Sequence, residues 1–210
     1  MDYNEFSDKL SDIADKCFNS ALLFNTIVDG QTFETLGKED LKDKIVSQYH
    51  ITLEEVEETE KAIKENDTIE LYDGLADCLY TAELLIEMVE CYILKFANVQ
   101  LADMNFATNE FGVDFKDLQT RYDGVFEASF DIETLDTCVD CVLENNMQKF
   151  TTDKAEFDTW QSPYNRKECA VNGVTYYFFV DNNGKVRKRD NFPKVDLEHI
   201  VWNKVGRYAN

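Results

Sequence analysis

Apolar side chains recur at helical intervals along most of the chain. Residues 3–28 place Phe6, Leu10 and Ile13 on one side of a helix, because positions three or four apart share a face. Gly30 then interrupts this spacing. The pattern therefore predicts one long amphipathic helix at the start of the chain.

Two shorter helices are predicted next. Residues 36–50 form the first of them, with Ile45 facing inward. The second begins at Thr52, whose side chain can cap free backbone N–H groups, and Glu55 three residues later completes the capping-box pattern. This third helix of the chain is expected to end near Asn66.

The fourth predicted helix is the longest and the most apolar. It begins at Thr68 and runs through TIELYDGLADCLYTAELLIEMVECYILKFAN. Apolar residues occupy most of its sides, as expected of a central, buried helix. A less regular stretch over residues 98–118 and a fifth helix over residues 132–150 follow.

The pattern changes after residue 150. Residues 174–188 alternate aromatic and β-branched side chains around Asn183 and Gly184, which predicts a β-hairpin. The predicted fold class is therefore all-α: a helical bundle over residues 1–150, with a C-terminal β-hairpin and tail over residues 151–210 that pack on it.

Composition and charge narrow the function. The 210 residues include 42 acidic and 21 basic side chains, a formal net charge of −21. Such a surface repels phosphate backbones and anionic lipids, so we expect no nucleic-acid and no membrane partner. No targeting segment or membrane-spanning run is recognisable, and the six cysteines are scattered. A cytoplasmic protein (host cytoplasm, if viral) with free thiols is expected.

Carboxylates cluster on the third and fourth predicted helices. Glu54, Glu55 and Glu58 lie about one turn apart on the third, and Glu70, Asp73 and Asp77 form a stripe on the fourth. Alone, the first group is typical of a solvated acidic helix face. The second group is harder to explain in that way, since burying unpaired carboxylates in an apolar helix costs several kcal/mol each.

A divalent cation would resolve this conflict. Two helices joined by a short turn pack antiparallel, which would bring both carboxylate groups together. All-oxygen ligands suit Mg²⁺, with Mn²⁺ as an alternative. Because Mg²⁺ usually binds through a few carboxylates plus substrate phosphates, the pattern indicates a phosphorylated substrate.

These residues also carry a family resemblance. LEEVEETEKAI followed by ELYDGLADCLYTA resembles the all-α nucleoside triphosphate pyrophosphatase superfamily, the MazG-like and phosphoribosyl-ATP pyrophosphohydrolase-like proteins. ENNMQKF and FFVDNNGKVRKRDNFPKVDLEHIV resemble later segments of its phage and bacterial branch. The resemblance implies a MazG-like bundle with a catalytic helical domain, and Mg²⁺-dependent cleavage of a (deoxy)nucleoside triphosphate to the monophosphate and pyrophosphate. It also implies a homodimer or homotetramer.

The resemblance further implies roles for individual residues. Glu55, Glu58 and Asp77 match metal ligands, but Gly74 stands where the family has a second Glu, so Asp73 looks like its replacement. Alternatively, Glu70 and Asp73 form the metal-binding pair. The catalytic set would be Glu54, Glu55, Glu58, Asp73 and Asp77, with Glu54 or Glu70 accepting a proton from water. The substrate-binding set would be Asn146, Lys149, Lys185 and Lys188.

The sequence is also compatible with two other functions. An acidic protein of this kind could mimic DNA and inhibit a nucleic-acid-binding partner without any catalysis. A pyrophosphohydrolase could instead act on phosphoribosyl-ATP or on a modified nucleotide. Lys185 and Lys188 are equally consistent with ordinary solvated positions of a hairpin.

Overall fold

Eight α-helices and a three-stranded sheet form the part of the chain that the computed structural model describes, residues 2–97 and 104–205. The prediction of a mostly helical chain with a β element near its C-terminus is confirmed. The helices are α1 (Tyr3–Asp29), α2 (Lys38–Glu65), α3 (Thr68–Phe96), α4 (Met104–Phe111), α5 (Phe115–Phe126), α6 (Ile132–Met147), α7 (Lys154–Thr159) and α8 (Leu197–Val205). The strands are β1 (Asn165–Val171), β2 (Val174–Val180) and β3 (Val186–Arg187).

Helix α2 is continuous, so the predicted break before Thr52 is wrong. The Thr52 side chain is buried and its hydroxyl donates a hydrogen bond to the carbonyl of Gln48, 3.0 Å away within the same helix. Neither glycine nor proline occurs between Gly37 and Asn66, so nothing in the sequence forces the helix to stop. Asn66 ends it in the left-handed conformation, with φ of 56°.

Helix α3 is the buried centre of the bundle, as predicted. Asp67 caps it, because its carboxylate accepts hydrogen bonds from the N–H groups of Ile69 (3.1 Å) and Glu70 (3.2 Å). Helix α3 contacts α1, α2 and α6, and its apolar side chains such as Leu75 and Met88 are buried in the main core. This burial is what removes water from carboxylates on the same helix.

Gly74 lets α2 and α3 approach closely, and its replacement by Ala should destabilise the protein. A Cβ at Gly74 would lie 2.4 Å from Oγ1 and 3.2 Å from Cα of Thr59. Overpacking costs about 1–3 kcal/mol. Because the backbone of Thr59 takes part in this clash, we expect a cost above the gain of about 1 kcal/mol from replacing Gly by Ala in a helix. Urea unfolding measures the difference.

Gly124 in α5 provides the matched control for this substitution. A Cβ there meets no atom within 4 Å, so Gly124→Ala should raise the free energy of unfolding through helix propensity alone. If both substitutions stabilise the protein equally, the tight contact at Gly74 does not exist.

The region between α3 and α6 is more ordered than predicted. Residues 98–118 were expected to be irregular, but α4 ends at Phe111 and α5 begins at Phe115 within this stretch; residues 98–103 lie outside the described part. Asp114 caps α5 by accepting from the N–H groups of Lys116 and Asp117. Helix α6 begins at the predicted residue and ends at Met147, three residues early.

The sheet contains the predicted hairpin and a strand that the sequence analysis missed. Strands β2 and β3 pair antiparallel around the Asn183–Gly184 turn, where Asp181 accepts hydrogen bonds from two backbone N–H groups. However, β2 pairs over its full length with β1. The two strands are joined by Asn172 and Gly173, both with positive φ, as a two-residue hairpin turn requires.

The C-terminal region packs on the helices at two places. Phe150 and Phe178 bury their rings against Ile27 at the end of α1, which places the sheet beside α1. Leu197 and Val201 of α8 are buried in the main core against α3 and α6. The chain between the sheet and α8 must therefore pass along the bundle.

Two further properties concern the cysteines and the apolar character of the helices. None of the six cysteines, all of which lie in the described part of the chain, forms a disulfide, as expected. Among the described residues, no helix combines the length and the apolar character needed to cross a membrane.

A candidate active-site cleft

A cleft of about 670 Å³ lies between α2, α3 and α6 and is bordered by the chain that leads into α8. Its volume falls within the range typical of small-molecule sites. Acidic and basic side chains both line it. The lining residues are Phe24, Ile51, Glu55, Ile69, Glu70, Asp73, Asp77, Tyr80, Thr81, Val142, Asn145, Asn146, Lys149, Lys188, Lys194, Val195, Asp196, Leu197 and Glu198.

The pairing of α2 with α3 places the acidic residues on one wall. The side-chain amide of Gln48 donates to the carbonyl of Thr81 (3.0 Å), and the hydroxyl of Thr59 lies 3.3 Å from the sulfur of Cys78. These contacts fix the antiparallel register of the two helices. The register brings Glu55 of α2 beside Asp77 of α3.

Burial and mutual repulsion both act on this wall. Burial first, and then the charges of Glu58 and Asp73, raise the pKa of Glu55 to about 7. Burial and the charge of Glu70 raise the pKa of Asp73. Burial, together with the charges of Glu55 and Asp73, raises the pKa of Asp77 well above its ordinary value. The carboxylates on this wall therefore act on one another within one electrostatic site.

The protein compensates the acidic wall only in part: the charges of Lys185, Lys188 and Lys149 each act to lower the pKa of one of its carboxyl groups. No described residue donates a hydrogen bond to the carboxylate of Glu55, Asp73 or Asp77. Buried charges normally have hydrogen-bond or ion partners. All-oxygen donors that lack such partners suit a hard divalent cation. Within the described residues, however, no three His, Cys, Asp or Glu side chains are already arranged as a ligand cluster.

Three lysines also line the cleft, and Lys149 is the most buried of them. Its ammonium donates a hydrogen bond to Oδ1 of Asn146 (2.7 Å) and lies 5.4 Å from the ring centre of Phe24. Burial, followed by repulsion from Lys188, lowers the pKa of Lys149 to about 8. Lys188 and Lys194 are exposed side chains at the same cleft.

Most residues predicted as site residues line this cleft. Glu70, Asp73 and Asp77 all do so, which keeps both choices of metal-binding pair open. Gly74 is directed at Thr59 of α2, so a longer side chain there would collide with α2. The predicted residues that line the cleft are Glu55, Glu70, Asp73, Asp77, Asn146, Lys149 and Lys188.

Three predicted residues lie outside the lining. Glu54 and Glu58 are exposed on α2, and Lys185 is exposed in the turn before β3. They still act on the site, because the charges of Glu58 and Glu54 raise the pKa of Glu55 whereas that of Lys185 lowers it. Glu54, Glu58 and Lys185 therefore lie at the periphery of the cleft.

Other lining residues were not predicted. Phe24 belongs to the first helix and carries no sequence signal that connects it with the carboxylates. Asn145 directly precedes the predicted Asn146. Lys194 belongs to a basic tail, residues 185–194, in which lysines and arginines are concentrated. The sequence therefore contained a weak signal for both residues. Tyr80 lines the cleft, and its buried hydroxyl has no hydrogen-bond partner among the described residues.

Comparisons with protein-family models, with curated proteins and with solved structures find no match to this chain.

Proposed function

We propose that this protein is a Mg²⁺-dependent pyrophosphohydrolase of the MazG-like type that cleaves a (deoxy)nucleoside triphosphate to the monophosphate and pyrophosphate. The observation that carries the proposal is the polarity of the cleft. Carboxylates that accept no hydrogen bond from a described residue line the same cleft as lysines. A ligand that suits both kinds of side chain combines a divalent cation with a chain of phosphates.

The acidic wall would hold the cation. Glu55, Asp73 and Asp77, with Glu58 at the rim and Glu70 one turn from Asp73, are the residues available for it. When bound, a divalent cation supplies neutralisation of the phosphate charge and polarises the phosphoryl group for attack by water. Mn²⁺ suits the same oxygen donors.

The remaining residues would bind the phosphates and handle the proton. Lys149 is held by Asn146 and can donate charge-assisted hydrogen bonds to phosphate oxygens. Lys188 adds a second positive charge at the same cleft. Glu70 lines the cleft and is exposed, so it is available to accept the proton of the attacking water.

A pyrophosphate-release screen tests this proposal. The purified protein is incubated with each of the eight common NTPs and dNTPs, with Mg²⁺, with Mn²⁺ and with EDTA, and pyrophosphate and phosphate are quantified separately. We expect pyrophosphate from at least one substrate, only when the metal is present. Release of phosphate in place of pyrophosphate would refute the reaction type, and silence on all substrates would favour the DNA-mimic alternative.

A further inference from the structure

The chain between β3 and α8 forms one side of the cleft without regular secondary structure. We call residues Lys188–Asp196 the strap. Lys188, Lys194, Val195 and Asp196 of the strap line the cleft. Because a segment of this kind has no backbone ladder to hold it, its position depends on side-chain anchors.

One anchor joins the strap to the end of α6. The side-chain amide of Asn145 donates a hydrogen bond to the carbonyl of Pro193, 2.9 Å away. Pro193 directly precedes Lys194. Together with Val195, which packs against the main core, this bond holds the backbone from which Lys194 extends.

A second anchor lies at the other end of the strap. The guanidinium of Arg189 donates to the carbonyl of Gln148 (3.1 Å) and lies 4.1 Å from the ring centre of Trp160. The N–H of Asp190 donates to the carbonyl of Gln161 at 2.7 Å. Lys188, next to Arg189, is thus held beside the cleft as well.

Two consecutive asparagines therefore organise the basic side of the cleft. Asn146 accepts a hydrogen bond from Lys149, whereas Asn145 holds the strap. The charge of Lys188 acts on both Asp73 and Lys149, which places the strap within electrostatic reach of both residues. Several lysines together can bind several phosphate groups, and the carboxylates can bind a cation carried by them. This combination suits an extended phosphate chain better than a single phosphate.

We propose that Asn145 is a positioning residue that fixes the strap, and that Lys194 and Lys188 of the strap bind a condensed phosphate chain. This inference rests on the proposed function for the identity of the full substrate. Binding of a phosphate chain is a simpler requirement than cleavage of a nucleotide. Inorganic tripolyphosphate tests this binding, and the test does not depend on turnover.

Limited trypsin digestion of the ligand-free protein tests the anchor alone. The strap contains tryptic sites at Lys188, Arg189 and Lys194. Removing one hydrogen bond should raise the open population, and hence the cleavage rate at these sites, by about fivefold in Asn145→Ala. The control is Asn19→Ala, since Asn19 is exposed and bonds only to the carbonyl of Asp15 in its own helix. Equal cleavage of the wild type and Asn145→Ala would overturn the anchor.

Calorimetric titration with tripolyphosphate and Mg²⁺ tests the binding role. Lys194→Gln and Asn145→Ala should each weaken binding by about fivefold, whereas Asn19→Ala should bind as the wild type does. Absence of tripolyphosphate binding by the wild type, or unchanged binding by Lys194→Gln, would overturn the phosphate-binding role of the strap.

Steady-state kinetics then separates positioning from general damage. For any nucleotide that the wild type cleaves, Asn145→Ala should raise KM by about fivefold with kcat nearly unchanged, because the strap contributes equally to ground-state and transition-state binding. A fall in kcat with unchanged KM would contradict this role. If no nucleotide is cleaved, the proposed function fails, while digestion and titration still decide the inference about the strap.

Discussion

Asp77→Asn should lower turnover about a thousandfold or more while leaving the metal-free protein at least as stable as the wild type. The loss of activity follows because a carboxylate on the acidic wall would be replaced by a neutral amide, and metal-assisted stabilisation of phosphate charge is worth several kcal/mol. The measurements are pyrophosphate release at saturating Mg²⁺ and urea unfolding in EDTA.

The stability of this variant depends on the raised pKa of Asp77. A carboxyl group whose pKa is raised by folding contributes stability below its unfolded pKa, about 3.9, and this contribution is lost as the pH rises through the folded value. Burial raises the pKa of Asp77, and no described residue donates a hydrogen bond to it. Asn has the same shape and no charge to bury, so the variant should lose less stability as the pH rises.

Mg²⁺ should reverse this order of stability. A cation that binds the folded wild type stabilises it by about 2.7 kcal/mol at a concentration of one hundred times its Kd, and the variant should gain much less. Asp12→Asn is the control, because it removes one charge from an exposed position of α1. Wild-type turnover by Asp77→Asn, or its marked destabilisation in EDTA, would show that Asp77 is a partnered structural residue.

Helix α3 shows why much of this architecture can be predicted from the sequence. Its apolar residues occupy nearly every side, so only a central position buries them, and Asp73 and Asp77 on the same helix are then partly buried. The carboxylate set is visible because like charges at positions four apart on one helix destabilise it and therefore require an explanation. The mostly helical fold and the partly buried acidic wall follow from these local patterns.

Other features depend on contacts between distant segments, which a local pattern does not contain. Thr52 satisfies the capping pattern, yet it lies in the middle of α2, because its hydroxyl can bond equally well within a helix. Strand β1 was missed because Arg166, Lys167 and Glu168 resemble a solvated loop until β2 pairs with them. Phe24 lines the cleft near the end of α1, where its ring packs against Phe150 and the sheet, a contact between distant segments.

The strap illustrates a further limit of sequence reasoning. Its lysines are visible as a basic tail, but the bond from Asn145 to Pro193 joins residues 48 positions apart. Neither an asparagine nor a proline in the sequence signals such a contact, whose acceptor is a backbone carbonyl. Lys185, which the resemblance places near phosphate, lies outside the lining, whereas Lys194 lies within it.

Lys149→Met should lower kcat/KM for the nucleotide substrate by about 10- to 100-fold. A charge-assisted hydrogen bond contributes about 1.5–3 kcal/mol, and each 1.36 kcal/mol corresponds to a factor of ten in rate. Met keeps most of the length of the side chain while removing the charge, and with it the cation–π contact with Phe24. Lys116→Met is the control, since Lys116 is exposed on α5, and steady-state kinetics with the substrate identified in the screen measures both variants.

The pH dependence of kcat/KM distinguishes the charge of Lys149 from its size. Burial lowers the pKa of Lys149 to about 8 in the free protein, so the charged form that binds phosphate is lost as the pH rises through this value. The wild-type kcat/KM should therefore fall above about pH 8. Lys149→Arg stays charged throughout and should keep its kcat/KM to higher pH, although its geometry differs. An identical alkaline fall in the Arg variant would assign the titration to another group and exclude Lys149 as the phosphate-binding charge.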